Sequence, residues 1–195
     1  DHVSLRNNVA LIRHHQGDIA GALTTFEENW RREPRNLFAL EHVVRLRLWT
    51  RGRDFAAGLA APLKAIPAAR GDDALAKVTA LLILGDWKGA DAAWRESTEA
   101  DFWQGPQDIE NSGAFDFAGG IAALRLGDFE AMSARLADAA ENLPARRELI
   151  QRIVWAAAAP EYVTMKLPSG DQSLRPRRAG RFVITCKSLP SSLTL

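Results

Sequence analysis

A glycine, an aspartate and an apolar residue stand together three times in this chain, as Gly17-Asp18-Ile19, Gly85-Asp86-Trp87 and Gly127-Asp128-Phe129. Each triplet interrupts a run of helical periodicity. From Leu5, apolar or small residues recur at Val9, Ala10, Ile12, Ile19, Ala22, Leu23 and Phe26, the spacing of one helix face rather than the alternation of a strand. Glycine ends a helix because it tolerates the left-handed cap conformation. Aspartate starts the next because its carboxylate accepts from orphan backbone N–H groups. The pair therefore reads as a stop and a start in two residues, a tight helix hairpin that Pro34 then closes.

The same pattern continues along the chain. Helices are expected over 37–50, 55–66, 74–84, 87–99, 114–126 and 129–142, with turn glycines at 17, 52, 85 and 127 separated by 35, 33 and 42 residues. The long last interval places an insertion in 102–113, "FWQGPQDIENSG". Residues 145–159 predict one further helix, with Leu149, Ile150, Ile153 and Val154 on or near one face, ended by Pro160. Residues 160–195 carry four prolines and little helical pattern, with a strand-like stretch at 181–186, "RFVITC".

A helix-turn-helix unit with a period near 34 residues resembles the tetratricopeptide repeat family over residues 3–144, about three quarters of the chain. Asn8-Val9-Ala10, Gly17, Ala22, Phe26 and Pro34 match the family pattern in the first repeat, as do Gly85, Ala90 and Trp94 in the third. Gly120, Gly127 and Pro144 match in the fourth, where Met132 replaces the alanine and Leu136 the aromatic. The second repeat departs most: Gly52 and Ala57 fit, Ala61 stands at the aromatic place, and Pro62 is expected to interrupt its second helix. The expected fold is all-α, a right-handed α-α superhelix of about four hairpins with a capping helix. Repeats fall at about 3–36, 37–70, 71–104 and 113–146, and the cap at 145–159, in a domain spanning 1–159. Residues 160–195 form a separate C-terminal extension, irregular or with a short strand.

The resemblance implies that the first helix of each repeat lines a concave groove holding a peptide. By register this places Asn7, Asn8, Leu11, His14 and His15 on the groove from repeat one, and His42, Val43, Leu46 and Trp49 from repeat two. Leu75, Thr79, Leu82 and Ile83 follow from repeat three, and Phe117, Ile121 and Leu124 from repeat four. The family's carboxylate-gripping subclass is disfavoured, because Leu11 and Val43 stand where that grip needs amides. A groove apolar toward its C-terminal half suits an amphipathic helix or an apolar extended segment, at about 25 cal/mol per Å² buried. The chain's own tail, through 181–186 or "LTL", or a second copy, is a candidate occupant.

Other function classes find less support. The formal net charge of +1 gives no global field for nucleic acid or membrane, and no apolar run approaches about 18 residues. The dense basic run at 175–181, "RPRRAGR", lacks interleaved aromatics and reads as a solvated tail rather than a nucleic-acid contact. Cys186 is the single cysteine, so neither an internal disulfide nor a thiolate zinc site can form, and a reducing, cytoplasmic setting is expected. His14, His15 and His42 could approach one another, but adjacent helical residues point about 100° apart and no HExxH pattern exists, so no metal or other cofactor is expected. There is no nucleophile elbow, phosphate loop, dinucleotide fingerprint or kinase signature, and the carboxylates, as at 98–101 and 139–142, look scattered over solvated faces. Trp103 and Phe102 stand out as loop aromatics, either binding anchors or covers for an irregular junction. The expected function is non-catalytic protein or peptide binding. The alternative is a sensing or regulatory module of a larger protein such as a bacterial transcription regulator. That alternative fits a chain opening on Asp1, as a fragment or processed form would.

Overall fold

The computed structural model describes residues 2–100, 102–103 and 108–158. The expectations for the C-terminal extension, its strand, its basic run and Cys186 lie outside the described residues. Those residues form helices joined by short turns, with no strand among them: α1 (Val3–His15), α2 (Ile19–Arg32), α3 (Leu37–Arg51), α4 (Arg53–Ala57), α5 (Ala60–Ala65), α6 (Gly71–Leu84), α7 (Trp87–Glu99), α8 (Ile109–Leu126), α9 (Phe129–Asn142) and α10 (Arg147–Ala158). A single turn of 3₁₀ helix, Pro144–Arg146, leads into α10.

All three Gly-Asp pairs work in the same way. Gly17, Gly85 and Gly127 have φ of 83°, 79° and 78°. The backbone N–H of Asp18, Asp86 and Asp128 donates to the carbonyl five residues back, at 2.9, 3.0 and 3.0 Å, closing the preceding helix. Each aspartate's carboxylate then accepts from the backbone N–H three residues on, at 2.9, 2.9 and 3.0 Å, capping the next helix. One dipeptide thus satisfies groups on two helices and sets the hairpin.

The second hairpin turns differently. Gly52 sits at φ 86°, ψ −179°, a region open essentially to glycine alone, and no side chain caps α4. The helix expected over 55–66 is two pieces, and the break lies upstream of Pro62, not at it. Proline cannot bond to the carbonyl four residues back and its ring clashes there, so the helix is interrupted at Gly58-Leu59. Pro62 itself lies in the first turn of α5, where its missing N–H would have been an orphan. Leu59 and Leu63, rather than Ala61, bury the fill of this unit.

Packing follows the chain in series. α1 pairs with α2, α2 packs on α3, α3 on α6, α6 on α7 and α8, α8 on α9, and α9 on α10. The buried core runs from Ala10 in α1 to Ala122 in α8, and a smaller cluster from Ala123 to Ile150 joins α8, α9 and α10. Ala22 and Phe26 of α2 and Ala90 of α7 are fully buried at the small and aromatic places of their hairpins. Met132 and Leu136 take those places in α9. Leu136 fits because α8 offers glycine: a Cβ on Gly120 would lie 2.5 Å from Leu136 Cδ2, and one on Gly119 would lie 2.3 Å from Trp94 Cδ1. α8 also begins earlier than expected, at Ile109, so the C-terminal part of the insertion is helical.

Candidate binding surfaces

The first helices of the hairpins, α1, α3, α6 and α8, carry the residues placed by register on one surface. On α6 and α8 those residues are half-buried: Leu75, Thr79, Leu82 and Ile83, then Phe117, Ile121 and Leu124. Leu75, Leu82, Ile83, Phe117 and Leu124 pack on the core while part of each remains open. Leu11 and His14 are likewise half-buried, and Asn8 and His15 are exposed. Trp49 is 68% exposed, its ring edge-on to His14 at 6.3 Å.

Four expected groove residues do other work. Val43 and Leu46 are fully buried in the core, where α3 meets neighbours on more than one side. Asn7 is buried because its carbonyl accepts from Asn29 Nδ2 at 3.1 Å and Asn36 Nδ2 at 3.3 Å. Asn36 in turn caps α3 through Ala39 N at 3.0 Å, so the three amides lock α1, α2 and α3 together. His42 stacks between the rings of Phe26 and Phe38, with centroids 4.5 and 4.4 Å away. Its Nδ1 lies 3.0 Å from the Phe38 carbonyl and 2.7 Å from Glu41 Oε2. Burial would push Glu41 up, but the hydrogen bond and charge of His42, with Arg45 beside it, hold its carboxyl below the usual range. His42 is therefore a partner of a buried carboxylate and not a groove residue.

A second surface had no counterpart in the register argument. α7, α8, α9 and the insertion enclose a half-open cleft of about 340 Å³. Trp94 and Thr98 come from α7, Ser112, Phe115 and Asp116 from α8, Asp138, Glu141 and Asn142 from α9, and Trp103 from the insertion. Trp94 stacks on Phe115 with centroids 5.9 Å apart, and Trp103 tilts against the same ring at 5.5 Å. Trp103 also covers Gly71, where a Cβ would lie 2.5 Å from the indole, so this aromatic both closes an irregular junction and walls the cleft. Neither indole N–H has a well-aligned acceptor.

The cleft is acidic. Burial pushes Asp116 up to about 6, with Asp138 adding to the shift, while the indole N–H of Trp94 as a nearby donor and the charge of Arg135 draw it back. Burial, then Glu141, raises Asp138 as well. Arg135, whose charge acts on Asp116, is only 3% exposed and already engaged. It pairs with Asp91 at 2.7 Å, donates to the Gly119 carbonyl at 2.8 Å and stacks 3.8 Å over the Trp94 ring. Glu141 and Asp138 are exposed, as expected of carboxylates on a solvated face, and it is Asp116 that is half-buried. The sequence signal was an i, i+3 pair, Asp138 and Glu141, on one face of α9, but that α8 brings Asp116 opposite them is a tertiary fact.

Among the described residues no group of three or more His, Cys, Asp or Glu is arranged to hold a metal ion, and no helix is long and apolar enough to cross a membrane. No protein-family model matches the chain, and neither does any curated protein. Among solved structures, the chain is similar to a crystal structure of MamA protein, a TPR-like helical protein, at a TM-score of 0.50 and 9% identity, over 87% of this chain and 98% of that one. That likeness is one of fold, and it fits a helical array of the tetratricopeptide type.

Proposed function

We propose that the chain is a non-catalytic scaffold that binds another polypeptide along the first helices of a tetratricopeptide-like superhelix. Its units are repeats at about 3–36, 37–70, 71–104 and 113–146, capped by 145–159. The observation that carries this reading is the row of half-exposed apolar side chains on α6 and α8: Leu75, Leu82, Phe117, Ile121 and Leu124. α6 and α8 pack directly on one another, which supports reading the row as continuous from one hairpin to the next. Such a row gains from covering by an apolar or amphipathic segment, as peptide-in-groove recognition requires. The hairpin series and the likeness to MamA support the array, since stacked repeats present extended surfaces. The groove assigned here is narrower than the register set, because Asn7, His42, Val43 and Leu46 are occupied inside the fold.

Photo-crosslinking tests the proposal. A benzophenone amino acid placed singly at positions 75, 82, 117 and 121 is expected to capture polypeptide adducts in the native lysate. The same probe at exposed positions 28 and 88, on α2 and α7, is expected to capture none. Equal yields from both sets, or no adduct from the first, would overturn the groove.

A further inference from the structure

We propose that the outer face of α1 docks an amphipathic helix of a partner protein, apolar on one side and acidic along its flank. Leu5, Val9 and Ile12 share one side of α1, twelve, eight and five residues before the turn glycine Gly17, and they are 65, 44 and 55% exposed. The same places, counted back from Gly52, Gly85 and Gly127, are covered in the other hairpins. Leu40 and Val44 of α3, Lys77 and Ala80 of α6, and Phe115, Gly119 and Ala122 of α8 are buried, while Arg47 and Asp73 are half-buried. The cover comes each time from the preceding hairpin. α2 packs on α3, where Arg47 Nε donates to Glu27 Oε1 at 2.9 Å. The end of α5 meets α6, where Lys77 Nζ donates to the Ile66 carbonyl at 2.8 Å. α7 packs on α8, where Trp94 lies against Gly119. Among the described residues no helix covers this face of α1, although an end of a stacked array ordinarily shows a polar outer face.

That recurring contact specifies the shape of the occupant: a helix, in the place α2 takes on α3. Charge narrows it further. α1 contains no acidic residue. Arg13 follows Ile12 and stands one turn from Val9, at the edge of the apolar stripe. It donates to Thr25 Oγ1 at 2.8 Å and, among the described residues, makes no ion pair. The cation on the covered face of α3, Arg47, is answered by Glu27 of α2, so a helix seated on α1 is expected to bring a carboxylate to Arg13. A second copy has no such helix to give, because α2, α7 and α9 are already packed on α3, α8 and α10. Residues 160–195 are net basic and interrupted by prolines at 160, 168, 176 and 190, the wrong charge and the wrong pattern for this place. The surface is separate from the groove on α6 and α8, and the proposal does not depend on that groove.

Fluorescein-labelled synthetic peptides of about 16 residues, long enough for several helical turns, test the proposal against the full chain by anisotropy. One carries a leucine stripe flanked by glutamate. A second carries the same stripe flanked by lysine, and a third has the acidic composition with the stripe scrambled. The acidic amphipathic peptide is expected to bind saturably, the lysine peptide about tenfold more weakly, and the scrambled peptide not at all. Leu5→Gln, Val9→Gln and Ile12→Gln change only exposed side chains, so the triple variant is expected to keep the circular dichroism and melting of the parent and to lose the peptide. Arg13→Glu is expected to reverse the preference between the acidic and lysine peptides. A benzophenone amino acid at position 9 is expected to crosslink the acidic peptide, and one at position 82 in the groove is not. No saturable binding, equal binding of the lysine peptide, undiminished binding by the triple variant, an unchanged order in Arg13→Glu, or crosslinking from position 82 and not from 9 would overturn the proposal. So would a dimer of the chain alone, seen by sedimentation velocity, that the triple variant dissolves, because the occupant would then be a second copy.

Discussion

Asp116 shows how one side chain can act against the fold that holds it. Its carboxyl, ordinarily near 3.8, is raised to about 6 by burial and by Asp138. The native state therefore holds the proton more tightly than the unfolded chain, so stability falls as pH rises through about 4 to 6. Two units nominally amount to about 3 kcal/mol, but this group is partly open to water, and the screened effect is on the order of 1 kcal/mol. Asp116→Asn should gain about that much at pH 7 and flatten the profile in that window, as read by urea titration at pH 4 and pH 7. Asn7 is the opposite case. Its amide answers Asn29 and Asn36, so Asn7→Leu should strand both and lose about 1–3 kcal/mol in the same assay. An unchanged midpoint would remove the amide lock as a stabilising element.

At the level of the element, the turns separate two backbone conformations that sequence alone renders as the same letter. Gly127 is left-handed at φ 78°, ψ 12°, and Gly52 is at φ 86°, ψ −179°. A Cβ at either would meet nothing within 4 Å, so substitution reads out the backbone alone. Gly127→Ala should cost about 1 kcal/mol, as at an ordinary left-handed helix cap. Gly52→Ala should cost more, about 2–3 kcal/mol, because alanine has no comfortable state there. Thermal melts of the two variants check the order, and a larger loss at Gly127 would contradict the geometry. The four glycines were legible as turns because each ends a periodic run. The division of the second hairpin's partner helix was legible only in part. Pro62 announced a break, but the clash acts on the carbonyl four residues earlier, which moves the break to Gly58-Leu59.

Across the whole molecule, the helices pack in series. Each helix leans chiefly on its neighbours in the stack, so a local loss should stay local. Arg135 joins α7, α8 and α9 through Asp91, the Gly119 carbonyl and the Trp94 ring. Arg135→Ala breaks a buried pair and should cost about 3 kcal/mol. Hydrogen exchange should show protection falling in α7 to α10 while α2 and α3 keep theirs. A uniform loss along the chain would argue for one cooperative core instead of a stack.

What the sequence determined by itself was the local order: where helices start and stop, which carboxylates cap them, and which small and large residues pair across a hairpin. These follow from backbone chemistry and from periods of a few residues, and the letters carry them. Tertiary structure decided which face each residue finally shows. Val43 and Leu46 sit at groove positions by register yet lie in the core, because α3 is covered from several sides. Asp116, Trp103 and the α9 pair Asp138 and Glu141 look unrelated along the chain yet share one cleft, because burial and charge sum over everything nearby in space, and proximity between helices is set only when they pack.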